Sequence, residues 1–419
     1  MSLSVGICGL GAFAPHFIPL IQAHPRVGRV VLCDSNADRL QAACDRFGIA
    51  DTCPSLDRLC ESDVDAIALF TQNDRHAPQA IQAIRAGKHV YSAVPSAISV
   101  EEITDLVHAV EAAGRIYMIG ETSYYYPCAM YCRQRFRAGD FGYAVFGEGE
   151  YMHDFDHGME QVYRGRFGDD WQRHASIPPF FYPTHSVSMI VSVTGARALR
   201  VSGVGVRHQY KPGETDFTKT PSRLYDNDFE NEFMLCTMSD GSAARFSEYR
   251  RVGYWHRPGG VGMSLYGSEG SFEQQIAPPT AEAYAHHRCV FTGKQGPSVQ
   301  DVTDQLTCLR PSRKGEAAAA GGLGDEVFSE QAPVHPMHLL PDAYRGLGNG
   351  HEGSHQFLMH EFITAAADRV HSVNNVWQAA RYLLPGLIAH ESARQGGAAI
   401  DVPDFGDCPH EVWDMLADA

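Results

Sequence analysis

The chain has 419 residues, 44% of them apolar and 20% charged, which suits a folded protein of two domains with a sizeable core. A formal net charge of −16 and the lack of any Lys/Arg-rich run argue against nucleic acid and anionic membrane surfaces as partners. No apolar run approaches a transmembrane span, no secretory segment is legible, and eleven scattered cysteines read as free thiols, so a cytoplasmic protein is expected.

Residues 4–8, Ser-Val-Gly-Ile-Cys, predict a short buried strand. Gly9-Leu10-Gly11-Ala12-Phe13-Ala14 follows, then an apolar helix-like stretch at 17–23, then a second strand at 30–33 that ends on Asp34. This is G-x-G-x-x-G/A in its strand–turn–helix–strand context, the fingerprint of a dinucleotide site. Gly9 permits the tight turn, Gly11 lets the backbone approach a pyrophosphate, and Ala14 keeps helix and strand close. The helix N-terminus offers N–H groups and partial positive charge to the phosphates. Asp34 lies 25 residues after Gly9, where its carboxylate can accept from the adenosine ribose hydroxyls and would repel a 2′-phosphate. NAD is therefore expected over NADP. Arg39, five residues on, is a further cofactor candidate.

Strand and helix go on alternating to about residue 120. A strand at 66–70 runs into Thr71-Gln72-Asn73, a helical stretch stops at Gly87, a strand spans 89–92, a helix stops at Gly114, and another strand covers 116–119. This βαβ repetition predicts an α/β fold with a parallel Rossmann sheet, as a domain over 1–122. From about residue 143 the pattern turns to consecutive extended segments, which predicts a large, open, mainly antiparallel sheet in a second α/β domain over 123–405. Residues 277–345, with Pro278-Pro279 and Lys314-Gly315-Glu316, read as an insertion or lid. Helical segments at about 354–368 and 375–395 follow, the second capped by Asn375 and kinked at Pro385, and 406–419 is a tail.

Gly9-Leu10-Gly11, Asp34, Thr71-Gln72-Asn73 with His76, Ala86-Gly87-Lys88-His89-Val90, and Glu391-Ser392-Ala393 before Gly396-Gly397 occur in this order. In these motifs the chain resembles the Gfo/Idh/MocA oxidoreductases over about 1–275 and 350–405. The resemblance implies a sugar-like substrate between two domains, NAD held by Gly9, Gly11, Ala14, Asp34, Arg39, Thr71, Asn73, His76 and Pro95, and a homodimer or homotetramer built on the open sheet. One departure matters. Where the family usually has Glu-Lys-Pro, this chain has Ala93-Val94-Pro95. Valine transfers no proton, so any base must come from elsewhere.

Tyr182-Pro183-Thr184-His185, together with the lost lysine, resembles a subgroup that includes the NAD-dependent glycoside hydrolases. In that subgroup hydride leaves C3 of the sugar, the aglycone is eliminated, water adds, and hydride returns. The reading is a glycoside hydrolase of this kind. A plain NAD-dependent sugar or cyclitol dehydrogenase or ketoreductase is the alternative, and a catalytically silent sugar- or NAD-binding protein is the second. His185 and Tyr182, spaced to share a helix face, are the first acid–base candidates, with His153 and Asp154 in the loop after a strand next. Tyr124 and Tyr126, past the carboxyl end of the parallel sheet, are candidate pocket residues. Arg164, Arg166, Trp171 and Arg173 form a basic and aromatic loop patch that could bind an anionic glycoside such as a sulfoquinovoside. His351-Glu352-Gly353-Ser354-His355 matches H-E-x-x-H formally, but Gly348, Gly350 and Gly353 spoil the helix that a zinc site needs. His351, Glu352 and His355 are therefore expected at the substrate mouth, and no metal is expected.

Overall fold

The computed structural model describes residues 2–155, 158–209, 216, 224–252, 260–277, 286–294, 298–308 and 331–417. The chain divides into two compact units: Met1–Thr122 with Pro336–Ala380 and Asp404–Ala419, and Ser123–His335 with Arg381–Pro403.

The first unit is built on six strands: β1 (Leu3–Cys8), β2 (Val27–Cys33), β3 (Thr52–Cys53), β4 (Ala66–Leu69), β5 (His89–Ser92) and β6 (Tyr117–Ile119). They pair in parallel in the order β3-β2-β1-β4-β5-β6. β4, β5 and β6 are buried along their whole length, as parallel strands covered on both faces must be. Local signals set the helices. Asn36 accepts from Arg39 N to start Ala37–Phe47, which ends on left-handed Gly48. Ser99 accepts from Glu102 N to start Val100–Ala113, which ends on left-handed Gly114. The strand order reverses between β1 and β4, so their carboxyl ends open the crevice where such folds bind ligands.

The helix-like stretch at 17–23 is the six-residue helix Ile18–Ala23, with Pro19 in its first turn, and a 3₁₀ turn, Ala14–His16, precedes it. One expectation changes here. Residues 336–380 and 404–419, expected in the second domain and the tail, pack with the first unit. Ile119 N of β6 donates to Asn374 O, which ties that segment to the sheet edge.

The second unit holds a nine-stranded mixed sheet. Its strands are β7 (Ala144–Met152), β8 (Ala198–Val206), β9 (Asn231–Met238), β10 (Ala243–Tyr249), β11 (Val261–Gly267), β12 (Gly270–Ala277), β13 (His286–Gly293) and β14 (Ser298–Asp301). After β15 (His371–Ser372) comes β16 (Ile400–Asp401), the ninth strand, and then β17 (Val412–Trp413), which pairs with β15 in the first unit. The order is β14-β13-β12-β11-β7-β10-β9-β8-β16, antiparallel throughout except for the β7–β10 pair. β13 and β14 correct the reading of 277–345 as a lid, since these residues extend the sheet; Pro278-Pro279 and Lys314-Gly315-Glu316 lie outside the described residues. The helix Val376–Arg394 runs on through Pro385, and Asn375 caps it by accepting from Gln378 N at 3.1 Å.

Candidate functional site

In the first unit the fingerprint residues gather at the ends of β1, β2 and β4. Gly9 has φ +90°, and a Cβ there would lie 2.7 Å from Phe70 O, so only glycine makes this turn. Gly11 is different: a Cβ on it would meet nothing within 4 Å. The protein itself leaves that space open, which fits a pyrophosphate drawn close to the backbone. Asp34 is buried at the end of β2, where it accepts from Leu10 N and Asn36 N at 2.8 Å each and pairs with Arg39 at 3.3 Å. Its carboxylate is thus fixed beside the glycine turn, placed to accept from a ribose. His76 is fully buried, with Nδ1 2.8 Å from Pro95 O and Nε2 3.1 Å from Thr71 O. Burial lowers its pKa even though both carbonyls oppose the shift. It clamps the loop after β4 to the loop after β5, and so shapes the cradle. Thr71 Oγ1 bonds Gln79 Oε1, and Asn73 opens the 3₁₀ turn Asn73–Arg75. Ala14 is buried, and Val94 is buried beside Pro95.

In the second unit the helix Thr184–Thr194 lies directly on β7, and glycine allows it. A Cβ at Gly149 would fall 2.1 Å from Ser186 O, and one at Gly147 would fall 2.7 Å from Ile190 Cγ2. Tyr151 is two residues beyond Gly149 and on the same face of the strand. Its ring therefore meets His185, in the first turn of the helix, at 4.6 Å. Tyr182 stacks at 6.2 Å from Tyr151 and sits 5.4 Å from His185. His153 lies 4.1 Å from Tyr151 and 5.6 Å from Tyr182. The Tyr151 hydroxyl and His153 Nε2 are 2.5 Å apart. Burial, then Tyr182, Tyr126 and Glu248, push the Tyr151 pKa well above its usual value against the opposing Arg250, so the phenol keeps its proton and shares a hydrogen bond with His153. Beneath this cluster, Glu232 is fully buried; it accepts from Phe180 N at 2.8 Å and meets His390 Nδ1 at 2.7 Å, which anchors the segment that carries Tyr182.

Two tyrosines and two histidines thus share one cluster. Tyr151 was missed as a candidate, although Gly147, Gly149 and Tyr151 alternate on one strand face. Asp154 is buried, and its carboxylate accepts from Val252 N at 3.0 Å, which braces the loop. Tyr124 and Tyr126 are buried, and the Arg133 guanidinium stacks 3.7 Å over the Tyr124 ring. The arginine patch lies on helices, Met159–Phe167 and Trp171–Ala175, where a loop was expected. Trp171 is core, packed with Phe155 and Ala175, while Arg164 stacks on it at 4.2 Å and pairs with Glu160 at 2.8 Å. Arg166 and Arg173 share those two helices. The anionic glycoside expected from this patch gains no support, because its aromatic platform is buried and Arg164 is already paired. His351, Glu352 and His355 belong to the first unit. Among the described residues no cluster of three or more His, Cys, Asp or Glu could hold a metal ion, and no helix is long and apolar enough to cross a membrane.

Residues 3–121 match the family model described as "Oxidoreductase family, NAD-binding Rossmann fold", that of Gfo/Idh/MocA. A glycosyl hydrolase family 109 protein of Saccharopolyspora erythraea is 28% identical over 221 residues, 48% of this chain and 47% of that protein. An alpha-N-acetylgalactosaminidase of Bacteroides fragilis is 31% identical over 144 residues, 32% of this chain and 33% of that protein. The chain thus spans less than half the length of these curated relatives. Levoglucosan dehydrogenase, solved with NADH and levoglucosan, shares the fold at a TM-score of 0.70 and 19% identity, covering 96% of this chain and 100% of that one. Myo-inositol 2-dehydrogenase from Lactobacillus plantarum does so at 0.65 and 18%, with the same coverage. The N-terminal region thus matches the NAD-binding Rossmann domain model of the Gfo/Idh/MocA oxidoreductases, and the chain shares its fold with solved sugar and cyclitol dehydrogenases.

Proposed function

We propose that the protein is an NAD-dependent glycoside hydrolase that oxidises its sugar transiently at C3 and returns the hydride within one turnover. The observation that carries this reading is the exchange of the family lysine for Val94 together with a Tyr151–His153–Tyr182–His185 cluster able to handle several protons. A dehydrogenase needs one base. An elimination–addition cycle needs a base for the C3 hydroxyl, a base for the C2 proton beside the new ketone, and an acid for the leaving oxygen. When bound, NAD supplies the hydride acceptor and gives that hydride back. Gly9, Gly11 and Asp34 would hold it, and the Asp34 carboxylate favours a ribose with an unmodified 2′-hydroxyl. In the second unit, the protonated Tyr151 hydroxyl leaning on His153 can relay a proton in either direction, while Tyr182 and His185 supply the remaining acid and base. The family 109 relatives support the hydrolase reading, and the name of the Bacteroides fragilis relative suggests an α-N-acetylgalactosaminide as the first substrate to try.

The open face of the nine-stranded sheet, with Val204 (59% exposed) and Leu235 (56% exposed) on neighbouring strands, supports self-association into a dimer or tetramer.

The test is an aryl α-N-acetylgalactosaminide in D₂O, with NAD in catalytic amount. The expected result is release of the aglycone, no net NADH, and deuterium at C2 of the product. Stoichiometric NADH without aglycone release would assign the chain as a dehydrogenase. Binding of NAD and sugar with no turnover would assign it as a silent binder.

A further inference from the structure

Within the first unit, His351 and His355 lie against the glycine-rich turn. Phe13 of that turn meets the His351 ring at 5.4 Å and the His355 ring at 5.6 Å, edge-on in both cases. Phe17 packs on His355 at 4.2 Å. His351 Nδ1 and His355 Nε2 are 2.8 Å apart. His355 is 1% exposed, and among the described residues no group bonds its Nδ1. Burial, then His351 and His16, hold the His355 pKa well below its usual value, so its ring is neutral and carries one N–H. A buried N–H without an acceptor is rarer in folded proteins than a bare acceptor. The proton is therefore assigned, from these partners, to His355 Nε2, and it is donated to His351 Nδ1. The N–H of His351 must then be Nε2–H.

The backbone spends strain on this arrangement. His351, Glu352 and Gly353 have φ of 49°, 53° and 88°, a left-handed run that the first two residues adopt only at a cost. That run replaces the first helical turn of an H-E-x-x-H motif and sets the His351 ring beside Phe13. A neutral, tautomer-locked N–H donor at a glycine turn suits an anionic oxygen.

We propose that His351 is a ligand of the dinucleotide phosphates, donating Nε2–H to a phosphate oxygen, and that His355 is the positioning residue that fixes this tautomer. The proposal rests on NAD binding by the first unit. The space left open at Gly11, two residues before Phe13, is where those phosphates fit.

Calorimetry on the intact protein with NAD, ADP-ribose and adenosine tests it. His351→Ala is expected to weaken NAD and ADP-ribose by the same factor, roughly tenfold, while leaving adenosine affinity unchanged. His351→Gln, which keeps an N–H at a similar reach, is expected to stay within about threefold of wild type. His355→Phe retains the ring packing against Phe17, and should weaken NAD and ADP-ribose alone. That variant carries the test if His351→Ala does not fold. Unchanged affinities overturn the proposal. Loss confined to NAD would mean a nicotinamide contact, and loss that includes adenosine would mean a damaged fold; either result also overturns it. A wild-type protein that binds no NAD removes the cofactor reading and this inference together, whereas wild-type binding with unaltered variants removes the inference alone.

Discussion

In the proposed cycle Tyr151, His153, Tyr182 and His185 divide acid–base work among side chains that a single lysine could not replace. The phenol of Tyr151 keeps its proton because burial penalises the phenolate, and the hydrogen bond to His153 gives that proton a path in the proposed cycle. Tyr151→Phe removes one atom and the relay with it. Like Tyr182→Phe and His185→Ala, it should lower turnover by about 10²–10⁴-fold with NAD affinity intact, measured by aglycone release and calorimetry side by side. Near wild-type rates in all three variants would reassign the chemistry. Asp34 poses a separate question at the cofactor. Asp34→Ala should erase the preference for NAD over NADP, since the only charge expected to repel a 2′-phosphate is gone. Val94 is buried, so Val94→Lys should not raise activity; it puts an ammonium into a buried position that holds an apolar side chain.

Gly11 and Gly149, on different elements, do opposite jobs with the same missing side chain. Gly149 exists for the protein: a methyl there would press on the Ser186 backbone, its O at 2.1 Å, and on the Phe246 ring at 3.1 Å. Gly149→Ala should destabilise by about 1–3 kcal/mol or more through overpacking, seen as a lowered urea midpoint. Gly11 exists for the ligand. Gly11→Ala should leave the urea midpoint unchanged and abolish NAD binding, because the methyl fills space that no protein atom uses. A destabilised Gly11→Ala with normal NAD affinity would contradict that division. The same contrast explains what the sequence could disclose. The Rossmann strands and the NAD turn were legible because apolar runs and glycine punctuation are local signals. Tyr182, His185 and His153 were legible as candidates, but Tyr151 was not, because its place beside them depends on how closely a helix lies on β7, which two glycines permit but do not announce. Trp171 beside three arginines resembled a sugar platform by residue type alone; packing made it core. The left-handed run at His351 and Glu352 has no local cause in those residue types, so only the fold shows which way the ring points.

Across the whole molecule, four buried histidines and the half-buried His360 tie stability to pH. His24 titrates at about 3, and His89, His335, His360 and His371 at about 4, each held low chiefly by burial, against 6.5 for an exposed imidazole. Between pH 6.5 and about 4 the unfolded chain binds protons that the folded chain refuses. Stability therefore falls as pH drops through that window and is flat above it for these groups. Melting temperature should decline steadily from pH 6.5 to 4.5, with no matching change between pH 7 and 8; a flat acid limb would mean the histidines are hydrated or charged in the fold.

The open sheet face makes the last molecular-scale prediction. Register places Val204 and Val206 of β8, Leu235 of β9 and Val299 of β14 on one side of the sheet, opposite the side covered by the helix Thr184–Thr194, and all four are exposed. At the centre of that face Arg245 pairs with Glu148 at 3.0 Å, so its charge is largely matched within the sheet. A broad face with apolar ends and a self-neutralised centre is costly to leave in water, and a second copy offers the same face with the same pattern. Light scattering on the purified protein should give at least a dimer. Leu235→Glu or Val204→Glu should shift it to monomer with NAD affinity retained, because neither residue touches the glycine turn. A wild-type protein that stays monomeric as its concentration is raised would leave that face to water alone.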